Sequence, residues 1–166
     1  MAVGFPSKTS FTDGVVLSAG ELNDISGTLN TVIPTNSVSW TTYSPTLSGG
    51  WANGNGTYNV AKYTQIGKTT FVFIQFTLGS TTTKGTDMVV SLPVTAANTF
   101  QQGQCRFLIG ATNYIGICRN ETTTTLRCLV GQLSGSYHSA TQITSAIPGA
   151  WATGHSFEVS FVYEAA

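Results

Sequence analysis

Thr69-Thr70-Phe71-Val72-Phe73-Ile74-Gln75-Phe76-Thr77-Leu78 reads as a β-strand, and its pattern sets the class of the whole chain. Aromatic and β-branched side chains suit a pleated, half-buried surface. Val72, Ile74, Phe76 and Leu78 form one apolar face. An antiparallel strand normally keeps its other face wet. Here Phe71 and Phe73 make half of that other face apolar too, so a covered second face is expected. The cover is either a loop of the same chain or a neighbouring subunit. Ser156–Glu164 shows the ordinary form, with Phe157, Val159, Phe161 and Tyr163 on one side and Glu158, Ser160 and Glu164 on the other.

Strand patterns continue in both directions from this stretch. They cover Trp40–Leu47, Thr57–Ile66, Met88–Leu92, Gln104–Ala111, Tyr114–Arg119 and Thr124–Val130. Turn signals separate them at Gly49-Gly50, Asn53-Gly54-Asn55-Gly56, Gly67-Lys68, Pro93, Asn120-Glu121 and Pro148-Gly149. Eight short strands with such turns predict a mainly β fold over 38–166, an antiparallel sandwich or jelly-roll-like domain.

Composition agrees. Of the 166 residues 41% are hydrophobic and only 8% are charged, against about 25% in typical domains. Thr, Ser, Asn, Gln and Gly supply the polar surface. Seven basic and seven acidic residues cancel, and the cations stand singly, which argues against nucleic-acid binding. No apolar run is long enough for a membrane helix, so no membrane insertion is expected. Met1–Ser10 shows no charged segment followed by an apolar one, so a signal peptide is not expected and the chain should fold in a reducing cytoplasm. Cys105, Cys118 and Cys128 lack CxxC spacing, and their odd number argues against a closed disulfide framework. They read as small buried hydrophobes, although Cys118 and Cys128 could face each other across a hairpin and bridge.

The first 37 residues differ from the rest. Gly4–Asp13 contains Pro6 and no periodicity, and reads as an extended arm. Ser18-Ala19-Gly20-Glu21 matches a capping box, in which a hydroxyl and a carboxylate each satisfy a free N–H at a helix start. Leu22, Ile25, Leu29 and Val32 then fall at helical spacing, and Pro34 ends the run, which predicts a short helix over about residues 19–32. A helix this short is marginal in water. It is expected to pack on copies of itself, on the β-domain or on another protein.

The residues that carry chemistry are scattered. His138 reads as part of a loop, and His155 as part of a turn before the last strand. Neither has an HxH or HExxH partner, so no metal site is expected, and no cofactor motif is present. No GxSxG elbow or P-loop occurs. Glu158 and Glu164, six residues apart on one strand face, are roughly 20 Å apart, too far for a glycosidase pair. A non-enzymatic protein is expected. Trp40, Trp51, Trp151, Tyr43, Tyr58 and Tyr137 could offer a sugar-stacking surface, with Trp51 and Tyr137 the candidate glycan contacts. Large aromatics also pack at strand ends and in interfaces.

Several stretches resemble a family. Phe11-Thr12-Asp13-Gly14-Val15-Val16-Leu17-Ser18-Ala19-Gly20-Glu21-Leu22-Asn23 resembles the N-terminal segment of tailed-bacteriophage fibre, spike and minor structural proteins. Trp40–Leu47, Tyr63–Lys68, Phe76–Thr82, Ser91–Val94, Trp151–His155 and Tyr163–Ala166 resemble a β-domain common among them. An Asp often stands in that pattern where this chain has His155. These stretches cover under half of the chain. The resemblance implies a virion structural protein, trimeric and anchored by its N-terminus, with no catalytic residues. The expected attachment residues are Phe11, Asp13, Leu17, Leu22, Ile25 and Leu29, and the expected subunit interface is Phe71 and Phe73. The implied partners are two further copies and a capsid or tail platform protein. The implied location is the virion surface, after synthesis in the host cytoplasm. The absence of any shaft favours capsid decoration or a short head fibre. The alternative is a tail-side tip that contacts host surface glycans.

Overall fold

The computed structural model describes residues 39–134 and 136–166. The chain divides into two units, Met1–Ser37 and Val38–Ala166, and the described residues belong to the second. The expected arm, its helix and the attachment residues Phe11, Asp13, Leu17, Leu22, Ile25 and Leu29 lie outside the described residues.

Val38–Ala166 is mainly β and antiparallel throughout. Its strands are β1 (Thr41–Thr42), β2 (Leu47–Ser48), β3 (Thr57–Ile66), β4 (Thr69–Thr77), β5 (Val89–Ser91), β6 (Gln102–Ile109), β7 (Thr112–Asn120), β8 (Thr125–Ser134), β9 (Tyr137–Gln142) and β10 (Ser156–Glu164). They form one sheet in the order β1-β3-β4-β10-β6-β7-β8-β5-β2, with β9 also paired to β8. The hairpins β3–β4 and β6–β7 turn on two residues each, Gly67-Lys68 and Gly110-Ala111. Both glycines have positive φ, 59° in each case, at the first central position, where a two-residue hairpin turn of this kind demands glycine.

The expected strand over Trp40–Leu47 is instead two strands with a break. Thr41 and Thr42 pair with Tyr63 and Lys62 of β3, while Leu47 and Ser48 pair with Val90 and Val89 of β5. Tyr43 N still donates to Ala61 O at 3.1 Å, and Ser91 N already donates to Thr46 O at 3.0 Å. The change of partner falls at Ser44-Pro45. Proline has no N–H to give to a ladder, so the stretch leaves one end of the sheet there and joins the other. The sheet therefore curls until its two ends share one segment.

The curl has one inside. Phe157, Val159, Phe161 and Tyr163 of β10 are buried there, with Val72, Ile74 and Phe76 of β4, Phe107 of β6, and Leu126 and Val130 of β8. Aromatic rings link the layers. Phe76 meets Phe157 at 5.4 Å and Tyr58 at 4.6 Å, and Trp151 meets Trp51 edge-on at 5.4 Å. Gly116 of β7 lies where a Cβ would come within 2.1 Å of Leu129 O, so only glycine lets the two strands approach there.

Two further expectations are corrected. The break between β6 and β7 falls at Gly110-Ala111, because glycine supplies the turn; Thr112 and Asn113 belong to β7. His138 is not in a loop. It lies in β9, paired to Leu133 of β8. That strand, Tyr-His-Ser-Ala-Thr-Gln, is largely exposed, so it carries no apolar alternation to announce it. Because Phe157 is enclosed by the curl, Phe157→Ala is expected to cost about 3–5 kcal/mol in urea unfolding. A loss under about 1 kcal/mol would mean that β10 does not face a closed core.

Candidate interaction surface

The alternation that fills the inside sends every second side chain outward. Register aligns these in rows across the strands. One row runs Lys62, Phe73, Ser160, Gln104, Ile117 and Leu129. A second, two residues along, holds Thr64, Phe71 and Val162. A third, on the other side, runs Gln75, Glu158, Arg106 and Ile115. Trp40 joins the face beyond Lys62, whose Nζ stands 4.8 Å from the centre of the Trp40 ring. The face thus has an aromatic flank on β1, β3 and β4, a polar middle on β10 and β6, and an aliphatic flank on β7 and β8.

Eight large apolar residues are exposed among the described residues: Trp40, Ile66, Phe100, Ile115, Ile117, Leu133, Tyr137 and Val162. Strand alternation puts Ile66, Ile115, Ile117, Leu133 and Val162 on this outer face. Trp40 lies over Lys62, and Phe100 lies 5.8 Å from Arg119, both outward-facing residues. Tyr137 alone points the other way. Isolated exposed hydrophobes need no explanation, whereas a contiguous set on one face marks an interaction site. Ile115 is 70% exposed and Val162 46%.

Phe100 takes a left-handed φ of 63°, which a bulky residue rarely adopts. Asn120, fully buried, holds it there. The Asn120 side chain accepts from Gln101 N at 2.8 Å and donates to Asn98 O at 2.6 Å, and its carbonyl accepts from Phe100 N at 2.7 Å.

The arginines on this face are paired with carboxylates of the same chain. Arg106 grips Glu158 with Nε at 3.0 Å and Nη2 at 2.5 Å; Gln75 Nε2 adds a bond to the same carboxylate at 2.9 Å. Arg119 pairs with Glu121 at 2.8 Å, and Arg127 pairs with Asp87 at 2.7 Å and with Glu121. All three arginines are therefore engaged. Beside the Arg106–Glu158 pair lies a shallow hollow of about 220 Å³, lined by Phe73, Gln104, Arg106, Ile115, Glu158 and Ser160. Its depth comes from Ser160, the smallest side chain in its row.

The guanidinium of Arg106 holds the Glu158 carboxyl below its ordinary 4.5. A carboxyl whose folded value is depressed contributes stability that is complete above the ordinary value and lost as pH falls through the folded one. Wild-type protein is therefore expected to lose stability faster than Glu158→Gln as pH drops below 4.5, in urea midpoints measured against pH. Parallel acid limbs would show that the pair contributes nothing.

The sequence-predicted residues are dispersed. Phe71 and Phe73 lie side by side on the outer face, each half-buried. Trp51 is a correction: it is 3% exposed and packed edge-on against Trp151, so it has no ring face to offer a glycan. Tyr137 is 81% exposed at the β8–β9 hairpin, without Trp51 beside it. His155 accepts from Ala152 N at 3.0 Å and serves a turn. No three His, Cys, Asp or Glu among the described residues are grouped to hold a metal.

Cys118 and Cys128 do stand opposite each other across β7 and β8, as free thiols, and Cys105 is a third buried one. Burial raises the Cys118 thiol, and a hydrogen bond involving Cys105, together with burial, raises Cys128. Thiols held protonated react slowly. Iodoacetamide without reductant is expected to leave native protein unmodified and to add three groups once it is denatured. One adduct under denaturing conditions would reveal a bridge.

Comparison with protein-family models, with curated protein sequences and with solved structures gives no match.

Proposed function

We propose that this chain is a non-enzymatic structural protein of a tailed-bacteriophage particle. Residues 1–37 anchor it to a platform protein of the capsid or tail. Val38–Ala166 forms a sandwich-like knob at the virion surface that associates into a trimer. The observation that carries the reading is the outer face itself, which bears most of the exposed large apolar side chains and whose arginines are already paired. A sheet face of this kind needs a cover, and copies of the same chain supply one without any new charge. The family resemblance of the N-terminal segment and the scattered titratable groups support the structural role.

Capsid decoration fits better than a glycan-binding tip. A tip would favour an aromatic groove around Trp51 and Tyr137, and the burial of Trp51 removes one wall of it. The test is particle incorporation. Chain lacking residues 1–37 is expected to fold, stay soluble and fail to join particles. Incorporation equal to that of the full chain would overturn the anchoring role. Phe73→Asp is expected to yield monomers, or insoluble protein, in light scattering, since a buried unpaired carboxylate costs several kcal/mol. Unchanged association would remove Phe73 from the interface.

A further inference from the structure

Where the sheet closes, its main-chain ladder has a gap. Alternate residues of a strand bond to opposite neighbours. Thr46 bonds toward β5, its carbonyl taking Ser91 N at 3.0 Å, so Tyr43, Pro45 and Leu47 turn their main-chain groups toward β3. Tyr43 N donates to Ala61 O at 3.1 Å, the last main-chain bond of this stretch to β3. Beyond it the strands diverge, and a hollow of about 470 Å³ lined by Tyr43, Ser44, Tyr58 and Asn59 marks the gap. Pro45 O and Leu47 N have no strand to bond there. The Asn53 side chain takes both: Nδ2 donates to Pro45 O at 3.0 Å, and Oδ1 accepts from Leu47 N at 3.1 Å. Tyr58 OH of β3 donates to the same Oδ1 at 3.2 Å. One side-chain amide thus stands where a neighbouring strand would place a peptide group, and fastens the seam.

Gly54 follows Asn53, and Gly56 follows Asn55. An asparagine before glycine can lose its amide. The glycine nitrogen bonds to Cγ, the Cγ–Nδ2 bond breaks, and ammonia leaves. Water then opens the cyclic imide to aspartate or iso-aspartate. Glycine suits this reaction because it has no Cβ to shield its nitrogen. Both asparagine carbonyls already hold two donors, Leu47 N and Tyr58 OH on Asn53, Thr81 N and Thr81 Oγ1 on Asn55. The attacking nitrogen is what differs. Gly56 N donates to Asn53 O at 2.9 Å, and a Cβ at Gly56 would lie 2.2 Å from Phe76 Cζ, so this residue is held by a turn bond and by packing. Gly54 N makes no hydrogen bond among the described residues. The free nitrogen therefore belongs to the pair that fastens the seam.

We propose that Asn53 is a modification site, and that loss of its amide to water through the Gly54 nitrogen unfastens the seam of the sheet. Aspartate at this position has no donor for Pro45 O and sets oxygen against oxygen there. Iso-aspartate carries the main chain through the former side chain and leaves nothing to reach Pro45 or Leu47. Either product loosens the stretch from β3 beyond Tyr43, while Leu47 and Ser48 stay paired with Val90 and Val89 of β5. The change runs one way, because the ammonia departs. It needs only water, so the closure of this sheet carries its own chemical lifetime.

The test is incubation of full-length protein at mildly alkaline pH, folded and in urea, followed by peptide mapping that separates aspartate from iso-aspartate at residues 53 and 55. In folded protein Asn53 is expected to convert about ten-fold faster than Asn55, since the turn bond on Gly56 N must break first. In urea the two rates should converge. Equal rates in folded protein, or Asn55 ahead, would overturn the site. So would an Asn53 that stays intact in folded protein while the protein in urea converts. Opening of the seam is read by hydrogen exchange. In the iso-aspartate form the Leu47 amide is expected to exchange about ten-fold faster, with the amides of β10 unchanged. Asn53→Ala removes the clasp without the chemistry and should give the same pattern. Should that variant fail to fold, the converted wild-type fraction, folded before it reacted, still decides. Unchanged exchange at Leu47 in the converted protein would overturn the unfastening. Equal acceleration in every strand would overturn it too, since the whole fold and not the seam would then have loosened.

Discussion

The stretch Thr41–Ser48 belongs to both ends of one sheet. Its first residues complete β3 and its last complete β5, and the proline between them forces the exchange of partners. Most of the other features follow from that double attachment. A sheet whose ends share a segment must enclose one side, so β4, β10, β6, β7 and β8 turn their alternate residues onto a common core. The enclosed side holds the Phe76, Phe157, Phe107 and Trp151 rings and the three cysteines. The other side is convex and faces outward.

Much of this was legible in the sequence, for definite reasons. β3 and β10 have the bounds their patterns predicted, Thr57–Ile66 and Ser156–Glu164. The second apolar face of β4 was legible too, in Phe71 and Phe73. The aliphatic flank was not. Ile115 and Ile117 alternate with Gly116 and Cys118, which look weakly apolar in sequence yet face the core, so the alternation does not tell which face is inside. Val162 breaks the wet face of β10 in the way Phe71 and Phe73 break that of β4. It was a signal in plain view. β9 was missed because an exposed, hydroxyl-rich edge strand has no hydrophobic period. The split at Pro45 was missed because a curled sheet's closure is a long-range event, and both halves of the stretch look equally extended. Trp51 was misassigned for a related reason: a tryptophan beside glycines looks exposed until the core it covers is known.

Low charge takes on a physical meaning here. On the outer face Arg106 pairs with Glu158, and Arg119, Glu121, Arg127 and Asp87 form one chain of four groups. Such pairs contribute little to stability when exposed. Their effect is to occupy all three arginines with carboxylates of the same chain. The association proposed above would run through area and shape, and association of that kind does not weaken as counterions accumulate. The assignment of this surface to a virion component, and its cover by copies of the chain, remain the proposals advanced above; the outward placement of these apolar residues is a property of the domain itself.

The central claim is that the convex outer face is covered by copies of the same chain through contacts that owe nothing to charge. Sedimentation equilibrium of the full chain in low and in about 1 M salt, where screening reaches about 3 Å, tests it most directly. The account predicts a mass of three times 17.5 kDa at both salt concentrations, with no weakening in the higher. A mass of 17.5 kDa at high micromolar concentration would contradict it, as would an assembly that dissociates as salt is raised.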